Sequence, residues 1–122
     1  MAFNLMQFAA GDKRTCEING HTISYHLLDI GEELEVSRLC APFLSSPGLE
    51  SAVKTATFAL SVDTIDGSLL FAPISPEPAP EERFKKACGF YRWWIEAWFK
   101  RYEKAQDEYM AQLEDFKKKS AN

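Results

Sequence analysis

Two histidines, His21 and His26, stand five residues apart, and three cysteines, Cys16, Cys40 and Cys88, are spread along the chain. A structural zinc site needs clustered thiols and imidazoles and shows itself as paired Cys-x-x-Cys spacing. No such pair occurs here, and no cysteine or carboxylate joins the histidines at a ligand spacing. The cysteines therefore read as three reduced thiols packed as small hydrophobes, and the histidines as surface or half-buried residues. Ser45-Ser46 lacks a His–Asp signature around it, and helix capping before Pro47 accounts for it. Glu32, Glu33 and Glu35 read as a solvated helix face rather than an acid–base pair. Gly31, Gly48 and Gly67 are isolated and make no phosphate loop. Trp93, Trp94 and Trp98 could stack a sugar or a base, but their helical spacing among Phe and Ile neighbours favours packing. The expectation is a protein without catalytic residues, metal or cofactor.

Those residues sit in a chain of 122 amino acids, 46% hydrophobic and 26% charged, the profile of one folded domain. The net charge of −4 is uneven. Residues 1–80 carry four basic and ten acidic side chains, a net of −6, and residues 81–122 carry ten and eight, a net of +2. An acidic body argues against nucleic acid as a partner, because binding the phosphate backbone requires a basic footprint. Lys117-Lys118-Lys119 reads as favourable charge at a helix C-terminus. No apolar run approaches the ~20 residues of a membrane span, and Met1–Gly11 lacks the basic start and cleavage site of a signal peptide. A cytoplasmic location follows as the expectation.

The elements read as α+β and predominantly helical. A small body spans residues 1–72, a proline-rich spacer 73–80, and a long amphipathic helix 81–122. The apolar start Met1–Ala10 reads as a strand or a docking arm. Asn19-Gly20 is the preferred dipeptide of a type I′ turn, so Thr15–Tyr25 reads as a hairpin. Asp29 with Glu32 forms a capping box that opens a helix, and Pro42 ends or kinks it. Ser46 as N-cap and Pro47 at the first position restart a second helix carrying Leu49, Ala52, Val53, Ala56, Ala59 and Leu60. Ser61–Phe71 is ambiguous: Asp66-Gly67 suits either a hairpin turn or a helix C-cap, with the helix favoured to about Asp63. Four prolines between Pro73 and Pro80 form a semi-rigid spacer.

The C-terminal segment carries Phe84, Cys88, Tyr91, Ile95, Trp98, Tyr102, Ala105, Tyr109, Gln112 and Phe116 at alternating steps of four and three, a heptad seam. From Phe90 to Phe99 it is apolar nearly all round, which predicts burial on several sides. Later it thins to a stripe flanked by charges, with Glu96–Lys100 as a supporting pair. One continuous helix over 81–119 would outreach the body at 1.5 Å per residue. The first half is then expected to close the core. The stripe of Tyr102, Tyr109, Leu113 and Phe116 is expected to project towards a partner protein or a second copy. A break between Lys100 and Gln106 is the competing arrangement. The partner-binding face so defined is Tyr91, Trp94, Trp98, Tyr102, Tyr109, Leu113 and Phe116.

The order of parts resembles a known family. Leu28-Asp29-Ile30-Gly31-Glu32-Glu33 opens the first helix, Val62-Asp63-Thr64-Ile65-Asp66-Gly67 closes the second, and Phe90-Tyr91-Arg92-Trp93-Trp94 with Phe99-Lys100-Arg101-Tyr102 lies in the last. Over about residues 27–115 this is similar to the small tail assembly chaperones and accessory assembly proteins of tailed bacteriophages. The resemblance implies a non-enzymatic protein that binds tail proteins, such as the tape-measure protein, before or during tail polymerisation. A structural virion subunit of neck, tail or baseplate is the alternative, and a small-ligand or enzymatic domain using the tryptophans is the third.

Overall fold

The structure, a computed structural model, describes residues 13–69 and 79–120, with the side chains of all but Phe116 and Ser120. The apolar arm Met1–Ala10 and the spacer up to residue 78 lie outside the described residues. The hairpin forms as its turn dictates. Asn19 and Gly20 take φ of 54° and 84°, both in the left-handed region that a type I′ turn requires. They join β1 (Lys13–Ile18) to β2 (His21–His26). Helix α1 (Ile30–Cys40) opens on the complete capping box: Glu32 N donates to Asp29 Oδ1 at 2.6 Å and Asp29 N donates to Glu32 Oε1 at 3.2 Å. It ends before Pro42, where the chain tightens into a 3₁₀ turn at Ala41–Phe43.

Helix α2 (Leu49–Ser61) starts later than its sequence suggests. Gly48 holds the cap position, and the Ser46 hydroxyl accepts from Gly48 N at 3.0 Å in a local turn instead of capping the helix. Its far end also differs. The helix stops at Ser61, and Val62–Ile65 is strand β3, followed by Ser68–Leu69 as β4. Asp66 and Gly67 have φ of 53° and 80°, so the hairpin is realised and the helix to Asp63 is not. The β-branched Val62, Thr64 and Ile65 suit a strand, and pairing Ile65 with Ile23 and Val62 with Tyr25 sets them beside the first hairpin, Val62 fully buried and Ile65 partly. The result is a four-stranded antiparallel sheet in the order β1-β2-β3-β4.

The last third is not one helix. It divides into α3 (Pro80–Ala87) and α4 (Arg92–Ser120), with the break at Cys88–Tyr91. Helix α4 runs unbroken through Lys100–Gln106. Pro80 is therefore the first residue of α3 rather than the end of the spacer. Packing explains the break. Two apolar clusters need covering. One lies between α1 and α2 (Val36, Leu39, Cys40, Ala52, Ala56 and Leu60), against which Phe84 of α3 packs. The other lies between the sheet, α2 and α4 and includes Ile23, Tyr25, Phe58, Val62 and Trp98. A straight rod cannot lie on both. Bending at Gly89 turns Ala87 fully inward and sets the Phe90 ring 5.1 Å from that of Phe58. The fold is α+β and mostly helical.

From Ile95 onward the heptad seam is real, but this chain itself covers it. Ile95, Trp98, Tyr102 and Ala105 are all buried. Trp98 stands edge-on to Phe58 at 5.4 Å and to Tyr25 at 5.8 Å, a favoured aromatic geometry. The Tyr102 hydroxyl accepts from Leu28 N at 3.1 Å, and burial pushes its pKa up to about 12. Further along, Arg14 Nη1 meets Glu108 Oε2 at 2.9 Å and ties α4 to β1. The body thus holds the helix as far as Tyr109, about ten residues beyond the expected limit at Phe99. Glu96 Oε1 lies 3.3 Å from Arg92 Nε and 3.9 Å from Lys54 Nζ, rather than pairing with Lys100.

Candidate protein-binding site

The break before α4 creates the most conspicuous surface. A residue at Tyr91 in a continuous seam would face inward, but the turn swings it outward, where it is 74% exposed. Trp93 follows at 52%. The two rings stack with 16° between planes and centroids 6.5 Å apart, and Trp94 lies 6.4 Å from Trp93. Trp94 in turn reaches the His21 ring at 6.3 Å, on the far hairpin. His21, Ile65, Gly89, Phe90, Tyr91 and Trp94 line an open depression of about 370 Å³. The ledge is fixed from beneath: His21 Nδ1 is 2.6 Å from Asp66 Oδ2, and Asp66 Oδ1 accepts from Thr22 N at 2.8 Å. The His21 contact, with the Thr22 amide, holds the Asp66 carboxyl below its usual range.

The seven residues expected to bind a partner separate into groups. Trp98 and Tyr102 are core residues and are corrected to that role: both are sealed by this chain's own sheet and helices. Tyr91 is exposed, while Trp94 and Tyr109 are half-buried against the core. Leu113 is half-buried on the late turns of α4, and the Phe116 side chain lies outside the described residues. Trp93, which the seam places off-axis, is one of the most exposed aromatics. The burial on several sides expected from Phe90 to Phe99 is complete at Ile95 and Trp98, partial at Phe90, Trp94, Ala97 and Phe99, and fails at Tyr91 and Trp93, since a break in the helix resets which residues face out. Gly89 amid the aromatics was the one sequence signal for it.

His26 sits in a cluster that no local spacing could reveal. Its Nε2 is 2.9 Å from Glu32 Oε2 and its Nδ1 is 3.3 Å from Asp63 Oδ2. Burial disfavours the charged ring, but the hydrogen bonds to Glu32 and Asp63 together outweigh it, and the pKa is raised. Both ring nitrogens face a carboxylate, and the protonated ring donates to both. The nearby Ser61 hydroxyl donates to the His26 carbonyl, not to its ring. This is a structural clasp joining β2, β3 and the start of α1, without the geometry of an activated nucleophile. The thiols are equally quiet, since burial raises the pKa of Cys16, Cys40 and Cys88, the reverse of activation.

Among the described residues no group of three or more Cys, His, Asp or Glu could hold a metal ion, and no helix is long and apolar enough to cross a membrane. A small apolar pocket of about 290 Å³ opens between α2, α3 and α4, with Phe43, Phe84, Phe90 and Ile95 in its lining. Lys54 at its rim is occupied by Glu50 at 3.1 Å and by the Phe99 ring at 5.7 Å. Ser51, Thr55, Arg92 and Glu96 also line the pocket, with Arg92 and Lys54 both turned to the Glu96 carboxylate. Compared with known proteins, the chain matches no family model, no curated protein and no solved structure.

Proposed function

We propose that this protein is a non-enzymatic assembly protein that holds an apolar segment of a partner protein on the ledge of Tyr91, Trp93 and Trp94. The observation that carries the reading is the stacked, exposed Tyr91–Trp93 pair at the corner between α3 and α4. Aromatic residues are enriched at protein interfaces, and clustered exposed apolar surface marks such sites. Covering each ring is worth about 3 kcal/mol at ~25 cal/mol per Å², before the costs of association. The resemblance to the small tail assembly chaperones of tailed bacteriophages gives the context: tail proteins such as the tape-measure protein as partners, met in the cytoplasm of the infected cell.

Co-expression with the tape-measure protein from the same source, followed by size-exclusion with light scattering, tests this. The expected result is a complex that the double variant Tyr91→Ser with Trp93→Ser loses while keeping the thermal midpoint of the parent. Failure of the parent chain to form a complex, or its survival in the double variant, would overturn the reading.

A further inference from the structure

β1 is an outer strand of the sheet, and among the described residues no other strand pairs with its free side. The two-residue turn makes Ile18 and His21 the closing pair, and the register continues through Cys16–Ile23 and Arg14–Tyr25. Hydrogen bonding alternates along an antiparallel pair. The backbone amides and carbonyls of Arg14, Cys16 and Ile18 therefore point to β2, and those of Lys13, Thr15 and Glu17 point away from it. Such an edge is a template for another strand. Beside it, β1 and α4 enclose an open groove of about 520 Å³, lined consecutively by Lys13, Arg14, Thr15 and Cys16 on one wall. Arg101, Lys104 and Glu108 stand on the other, with Tyr25 and Ala105 also in the lining.

The groove's charge is opposite to that of the chain. It gathers four cations and one carboxylate in a protein of net charge −4. Glu108 is already engaged by Arg14 at 2.9 Å. Among the described residues no carboxylate pairs with Lys13, Arg101 or Lys104, and Arg101 Nη1 donates to the Ala97 carbonyl at 3.1 Å. We propose that this groove docks an extended, acidic peptide segment of a partner protein, which adds to the sheet as a fifth strand beside β1. Two independent features select that occupant. The outward amides and carbonyls call for a backbone, as in strand addition, and Lys13, Arg101 and Lys104 call for alternating or clustered carboxylates. A nucleic acid would meet the cations and leave the backbone groups idle. A second copy of β1 would bring its own Arg14 towards the same positive wall.

The test uses the full chain and a short fluorescein-labelled peptide of alternating glutamate and valine, followed by anisotropy, with amide shifts read by NMR. Binding should move the Thr15 and Glu17 amides. It should weaken at least ~tenfold when Arg101→Glu is combined with Lys104→Glu, and by a similar factor when alternate peptide amides are N-methylated. The ledge variant Tyr91→Ser with Trp93→Ser should bind the peptide as the parent does, so this surface and the ledge stand or fall separately. No binding at millimolar peptide would overturn the proposal. So would equal binding of the N-methylated peptide or of polyphosphate, which would mark a general anion patch. Concentration-dependent dimerisation that the charge reversal abolishes would assign the edge to a second copy instead.

Discussion

At the scale of single residues, His26 has the clearest consequence. Its ring bridges Glu32 and Asp63, and its folded-state pKa lies above that of an ordinary histidine. The folded protein therefore binds this proton more tightly than the unfolded chain does. The resulting stability is fully present below the unfolded value, about 6.5, and is lost as pH rises through the folded value. Glu32 and Asp63 are the acidic groups that hydrogen-bond the ring, so His26→Gln keeps a polar side chain but removes the titration. Urea midpoints measured between pH 6 and 8 should fall for the parent and stay nearly level for His26→Gln. Parallel slopes for the two would sink the idea. None of this was legible from residue spacing, because Asp63 reaches the ring only through the β2–β3 register.

At the scale of elements, the parts encoded by local chemistry were readable and the parts decided by distant packing were not. Asn19-Gly20, the Asp29–Glu32 box and the stop before Pro42 each satisfy their own backbone groups, so a few adjacent residues suffice to define them. Val62–Ile65 has no such local decision. Helix continuation and strand are both open to it, and pairing with β2 settles the choice. The break at Cys88–Tyr91 is the same kind of case: an unbroken heptad pattern ran across it, yet two separate clusters had to be covered. The candidate site suffered most, because the outward turn of Tyr91 and Trp93 depends on that break. The second hairpin can be tested directly. Gly67 has φ of 80°, and alanine there costs about 1–2 kcal/mol in the left-handed region. Gly67→Ala should lower the chemical-denaturation midpoint accordingly, whereas a helix C-terminus at Asp63 with a loose Gly67 would leave it nearly unchanged.

At the scale of the whole molecule, the question is what α4 still needs once this fold has covered it. Its seam is sealed from Ile95 through Ala105, and Tyr109 still packs against the same core. Beyond that point the described large apolar side chains are Met110, 52% exposed, and Leu113, half-buried. A stable protein–protein interface buries roughly 1,600 Å² in total, and a coiled coil needs its stripe sustained over about three heptads or more. Among the described side chains, one turn carrying Met110 and Leu113 supplies neither. The helix tail is instead dressed with charge, including Lys117–Glu114 and Lys119–Asp115 pairs at 3.8 and 3.2 Å, which are worth only tenths of a kcal/mol each. Among the described residues, the large exposed aromatic side chains Tyr91 and Trp93 lie at the corner where α3 and α4 meet rather than on the late stripe, which is why the proposed ledge is placed there. On the proposed ledge reading, replacing Met110 and Leu113 together by glutamate should leave the sedimentation coefficient and the thermal midpoint of the chain unchanged, because neither side chain belongs to either core cluster. A drop in mass on that substitution would show that α4 zips to another helix after all. Binding would then be centred on the tail, and the exposed Tyr91–Trp93 pair would lose its claim to be the first contact.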